Sequence, residues 1–150
     1  MHMHHDPLRL DGLTCACTAL RKVSRAVTRW YDDVLAGTGM TLGQFTLLRN
    51  IARNEPVPLM QLADMLVMDR TSLYRALKPL ERDGWVLVVD GKGRSKTARL
   101  TDEGRKAMLG ETDAWERVQE RLLGRIGREA WTGIEGSLAQ LVAIASAEVQ

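Results

Sequence analysis

The sequence predicts a mainly α chain interrupted by one small β-hairpin, and three observations carry that prediction. First, Leu59 to Leu100 reads as a short helix (Leu59 to Leu66), a tight break at Met68-Asp69, a second helix (Arg70 to Arg82), and two strand-like runs around a small basic loop. Second, both ends of the chain carry long apolar seams at helical spacing. Third, Arg70 to Arg99 holds eight Lys or Arg against three acids, a balance of +5, whereas the whole chain is only +2. A winged helix-turn-helix joined to long terminal helices that need each other or a partner accounts for all three. The expected organisation is a flexible N-terminal arm over 1–11, terminal helices over 12–37 and 101–150, and a winged helix-turn-helix domain over 38–100.

Composition sets the frame. At 150 residues and 45% apolar content the chain is long enough for one domain of ordinary size with a real core. Aromatic residues are only 5%, so Leu, Val, Ala and Met do most of the packing. The sequence has no apolar run long enough to cross a membrane and no basic-then-apolar leader, so the expected location is the cytoplasm, without a membrane partner. The two cysteines are then expected as reduced thiols.

The elements follow in order. Met1 to Asp11 is a polar arm with His2, His4 and His5; together with Cys15 and Cys17 these are metal-binding residue types, but they lack a fixed ligand spacing. The arm therefore reads as a solvated tail or partial tag residue, with no metal site and no cofactor expected. Leu13 to Leu35 is a long helix whose seam (Leu13, Cys17, Leu20, Ser24, Val27, Tyr31, Val34) alternates spacings of four and three, the pattern of lengthwise helix packing. Gly37 and Gly39 end it. Thr41 caps the next helix, to Ala52, with Leu42, Phe45, Leu48, Ile51 and Ala52 on one broad face. Pro56-Val57-Pro58 suits a short edge strand.

Within the central stretch, Asp69 is a good N-cap because its carboxylate can accept from first-turn amides, and Asp83-Gly84 supplies the stop. Leu73, Ala76, Leu77 and Leu80 form a buried face; Thr71, Ser72, Tyr74, Arg75 and Lys78 lie opposite. Taken alone, such a polar face is as readily a plain solvated surface. Pro79 removes a backbone bond and is expected to bend the helix end. The strands are read over Trp85 to Val89 and Thr97 to Thr101, around the loop Asp90-Gly91-Lys92-Gly93-Arg94-Ser95-Lys96. A helix and a cationic hairpin tip placed together could straddle a phosphate backbone, which turns the solvated face into a candidate binding face. Thr101 to Leu123 returns to helix with Ala107, Met108, Trp115, Val118 and Leu122 inward. Gly124 and Gly127 separate it from a last stripe of Ile126, Ala130, Ile134, Leu138, Leu141, Ala145 and Val149.

Leu62-Ala63, Asp69-Arg70-Thr71-Ser72-Leu73-Tyr74-Arg75, Leu80-Glu81-Arg82-Asp83-Gly84, the wing, and Leu100-Thr101-Asp102-Glu103-Gly104, in this order and spacing, resemble the MarR family of bacterial transcriptional regulators. The resemblance runs from Leu13 to Val149. It implies a sequence-specific regulator of double-stranded DNA, a repressor, with a terminal-helix dimerisation region over 12–37 and 101–150, acting as a homodimer on an inverted repeat and released by a small aromatic or anionic effector. Arg75 matches the family's recognition-helix arginine, suited to a bidentate contact with guanine, and Ser72 is the next base-contact candidate. Thr71 and Tyr74 could reach bases or phosphates, and Lys78 a phosphate. On the wing, Arg94 matches the arginine sent into the minor groove, flanked by Lys92 and Lys96. The wing departs from the family pattern: it is about one residue shorter, with Lys92-Gly93 where another Arg is usual, which predicts a looser tip and a weakened Asp90 to Arg94 buttress.

Regulation divides between two readings. Cys17, with Leu20 and Ser24-Arg25 at matching spacing and Tyr31 at a tyrosine position, resembles the peroxide-sensing branch of the family; Arg21, one turn away, would favour a thiolate. The other reading is a ligand crevice lined by Arg21, Arg25, Trp30, Tyr31 and Phe45. Outside the family reading, a winged helix can dock an acidic protein without touching DNA, and would then show no preference for an inverted repeat. For an enzyme the sequence offers no Ser-His-Asp set, no phosphate-binding glycine loop and no metal motif.

Overall fold

The computed structural model describes residues 15–149; the arm over 1–11, its histidines and Leu13 lie outside the described residues. Helix α1 (Ala16–Leu35) is capped by Cys15, whose sulfur accepts from the Thr18 amide at 3.4 Å, and it closes through one 3-10 turn, Ala36–Thr38, onto Gly39 at φ 79°. Helix α2 (Leu42–Asn54) starts in a full capping box: the Thr41 hydroxyl accepts from the Gln44 amide at 3.2 Å while the Gln44 side chain accepts from the Thr41 amide at 3.1 Å. A two-residue strand β1 (Val57–Pro58) leads into α3 (Leu59–Leu66) and α4 (Arg70–Arg82), the helix-turn-helix. The turn between them rests on Val67, left-handed at φ 53° and ψ 43°, not on a glycine.

Strands β2 (Val86–Asp90) and β3 (Lys96–Leu100) form the hairpin, each displaced by one residue from the sequence reading. Trp85 stays out of the ladder because its amide donates to Leu80 O and its carbonyl accepts from the Thr101 amide. Both hairpin strands are antiparallel, and β1 adds to the outer edge of β3, giving the order β1-β3-β2 with Val57 opposite Ala98 and Val86 opposite Leu100. Val86, Ala98 and Leu100 turn inward while Leu87, Val89 and Arg99 face out, the alternation of a sheet covered on one side.

The core lies under this sheet. Phe45, Leu48 and Ile51 of α2, Leu62 of α3, and Leu73, Leu77 and Leu80 of α4 are all buried there with Val57. At about 1.5–3 kcal/mol for each fully buried large aliphatic side chain, these contacts dominate the folding of this half. Met108 of α5 (Asp102–Ile126) joins the same cluster, and Phe45 packs on Trp115 with ring centroids 5.7 Å apart. Gly104 sets the close approach of α5 to the hairpin base: a Cβ there would overlap the Trp85 carbonyl.

Gly124 does not break the chain as the sequence suggested. It lies inside α5, in open space, where a glycine costs helix stability without preventing the helix; the break comes at Gly127 alone, at φ 90°. Helix α6 (Arg128–Glu148) follows and buries none of its residues. Its apolar positions stand open, with Leu141 at 43% and Ile144 at 54% exposure. Among the described residues no helix is long and apolar enough to cross a membrane.

Candidate nucleic-acid interface

The outer face of α4 is shaped by its inner one. With Leu73, Leu77 and Leu80 held in the core, Thr71, Tyr74, Arg75 and Lys78 are turned outward, and together with Arg70 they line a shallow cleft of about 440 Å³. Arg70 is a cleft residue that the sequence reading passed over. Its guanidinium lies 5.4 Å from the centre of the Tyr74 ring, four residues on, and that spacing was the available signal. Thr71, Arg75 and Lys78 are exposed, and Tyr74 is half-buried against the core.

Ser72 is placed differently from its candidate role. Its amide donates to Asp69 Oδ1 at 2.7 Å and its hydroxyl to Asp69 Oδ2 at 2.8 Å, so its proton is committed to capping α4 and only its lone pairs face outward. These two bonds hold the Asp69 carboxyl below its ordinary range. The cap is therefore fully formed above the usual carboxylate range and weakens as pH falls through the lowered value. Pro79 stays within α4, which continues to Arg82; the proline lacks the amide that would bond the Arg75 carbonyl.

At the wing, Lys92, Arg94 and Lys96 are all exposed. The short tip carries its own cross-bonds. The Gly91 amide donates to the Ser95 carbonyl at 2.7 Å, the Ser95 hydroxyl donates to the Lys92 carbonyl at 2.7 Å, and Gly93 takes φ 69°. The short loop closes on itself, without an Asp90 to Arg94 pair. Among the described residues the ion pairs are Arg82 with Asp83 and Arg105 with Glu55, so Arg75, Lys78, Lys92, Arg94 and Lys96 keep their charge unneutralised. With Arg70, likewise outside these ion pairs, one helix face and one hairpin tip present six free cations.

The effector and thiol candidates do not converge. Tyr31 is buried and its hydroxyl donates to Gln119 Oε1 on α5; burial raises its pKa. Phe45 is sealed against Trp115, over which Arg49 sits at 4.1 Å. Trp30 is half-buried with Arg121 5.9 Å from its ring centre, whereas Arg21 and Arg25 are exposed on α1. An open apolar groove of about 1050 Å³ lies elsewhere, between Leu20 of α1, Val67 and Met68 after α3, and Leu138, Leu141 and Val142 of α6. Cys15 and Cys17 are both free and exposed. The perturbed thiol is Cys15: the Thr18 hydroxyl at 2.9 Å and the Thr18 amide lower its pKa, with Arg21 adding a smaller pull. Its helix-capping position was visible in the sequence only once the helix start was known. Among the described residues no three His, Cys, Asp or Glu gather as metal ligands.

Comparison with known proteins gives a consistent picture. A profile described as the MarR family matches residues 38–95. The chain is similar to the M. tuberculosis transcriptional regulator MosR in complex with DNA, at 32% identity over 89% of this chain and 98% of that one, with a TM-score of 0.81. A second structure of M. tuberculosis MosR gives 31% identity, 90% and 98% coverage, and a TM-score of 0.77. The S. aureus MepR-DNA complex, at 18% identity, 87% and 98% coverage and a TM-score of 0.74, shares the fold. No curated protein sequence matches. A winged helix-turn-helix with an open basic face, continuous at 32% identity with almost all of one such regulator, leaves one assignment: the chain belongs to the MarR family of DNA-binding transcription regulators, which are not enzymes.

Proposed function

We propose that the chain is a repressor that binds double-stranded DNA as a homodimer, reads an inverted-repeat operator, and is released by a small aromatic or anionic effector. The observation that carries this reading is the set of unneutralised cations on α4 and the wing tip. Arg75 contacts a base in the major groove, Thr71 and Tyr74 bases or phosphates, and Lys78 a phosphate; Arg94 enters the minor groove between Lys92 and Lys96. Ser72 orients α4 through Asp69 and offers its oxygen as an acceptor. The terminal regions, over 12–37 and 101–150, form the dimer, which would set two recognition helices about one helical turn, roughly 34 Å, apart. Selection of bound duplexes from a random pool tests this reading. It predicts an inverted repeat whose binding falls steeply with salt; binding without sequence preference points instead to a protein-docking winged helix. Repeating the selection with phenolic acids tests release.

A second reading has its own observation. Cys15 is exposed with a lowered thiol pKa, which favours thiol-based control centred there, with Cys17 as its neighbour. Mass-mapped alkylation across a pH series should label Cys15 below the ordinary thiol range. Peroxide that modifies Cys15 and leaves operator affinity unchanged removes this reading.

A further inference from the structure

Glu55 sits where local electrostatics disfavour it. It is the C-cap of α2, the end of the helix that carries partial negative charge, and an acid there opposes the dipole. What holds it is tertiary. One carboxylate oxygen accepts from the Leu100 amide of β3 at 2.7 Å, and the other pairs with Arg105 in the second turn of α5. The register explains the first contact. Val57 lies opposite Ala98, so position 55 lies opposite Leu100, yet β1 is only Val57–Pro58 and ends before reaching it. The Glu55 side chain supplies the acceptor that a longer β1 would have supplied from its backbone.

We infer that Glu55 is a positioning residue for the wing: it fixes the root of the β2–β3 hairpin against α2 and α5 and thereby aims Arg94. The hairpin is a lever. Five residues at about 3.4 Å each put the tip roughly 17 Å from its root, so a 10° tilt at the root displaces the tip by about 3 Å, enough to lose a groove contact. Thr101 reinforces the same root, donating from its hydroxyl to the Gly84 carbonyl at 2.6 Å and from its amide to the Trp85 carbonyl at 3.0 Å. Neither bond reaches α2, which only Glu55 joins to both β3 and α5 by side-chain bonds among the described residues. The inference rests on the proposed reading that Arg94 enters the minor groove.

A double-mutant cycle on the full chain and its selected operator tests it. Glu55→Ala should weaken binding about tenfold, and Glu55→Gln, which keeps an acceptor for Leu100 but loses the ion pair, about threefold. In an Arg94→Ala background both losses should fall below about twofold, because there is no aimed contact left to misplace; in an Arg75→Ala background they should persist in full. A merely structural Glu55 would weaken all three backgrounds alike. That additivity, or unchanged affinity in Glu55→Ala, overturns the inference while leaving the wing contact standing. An Arg94→Ala chain that binds as tightly as the native one overturns the wing reading and this inference with it. Glu55→Gln carries the cycle if the alanine variant unfolds.

Discussion

The winged half and helix α6 are built from similar apolar residues and meet opposite fates. In the first, Leu48, Ile51, Leu62 and Leu80 are completely enclosed by elements of the same chain. In the second, a helix of 21 residues exposes Ile134, Leu138, Leu141, Val142 and Ile144 and buries nothing. The open groove beside it is lined from α1, α3 and α6 together. An apolar stripe of this length left in water is unfavourable, and exposed patches of this kind mark interaction surfaces. The winged half buries its apolar residues within one chain, whereas the terminal half leaves its own in the open, where the proposed second copy would cover them.

Separating the two halves experimentally starts with the largest effect. Leu138→Glu with Leu141→Glu should leave the winged half folded but yield a monomer whose operator affinity is lower by about 10²–10⁴-fold, the gain that linking two readers supplies. Circular dichroism and operator titration check both parts; a folded monomer of undiminished affinity would break the comparison. Leu77→Ala should do the reverse, costing about 2–5 kcal/mol of stability in denaturant because it opens a cavity in a core that cannot refill from outside. Arg75→Ala should keep both stability and assembly while losing about 1–3 kcal/mol at one base position in each half-site. Retained sequence preference in that variant removes Arg75 from the reading role. Smallest is Val67→Gly at the helix-turn-helix corner. A β-branched residue in the left-handed region is strained, and its side chain is 66% exposed, so glycine should raise thermal stability by about 0.5–1 kcal/mol.

The same divide governs what could be read from sequence. The helix-turn-helix was legible to its ends, Leu59–Leu66 and Arg70–Arg82, because local signals agreed there: Asp69 as cap, Asp83-Gly84 as stop, and a helical apolar period between. The wing slipped by one residue because Trp85 and Thr101 have strand composition but bond across the hairpin root instead. Gly124 misled because an exposed glycine is tolerated inside a long helix, whereas Gly127 has the backbone angle that ends one. Corner Val67 carried no residue-type signal, since the left-handed turn there is closed by backbone bonds, from the Val67 amide to Asp64 O and from the Met68 amide to Ala63 O. The candidate site was legible in its charges and not in its constraints. Arg75, Lys78 and the wing cations follow from periodicity and loop composition, and the commitment of Ser72 to Asp69 is local to the cap, but the enclosure of Tyr31 and Phe45 and the bridge from Glu55 to Leu100 and Arg105 depend on distances between segments.

Sedimentation equilibrium of the full chain at micromolar concentration, alone and with the selected operator duplex, tests the central claim most directly. The account predicts a particle of twice 16.8 kDa in solution and two chains on each duplex. A particle of 16.8 kDa that loads the duplex one chain at a time, without preference for a second site, would contradict it.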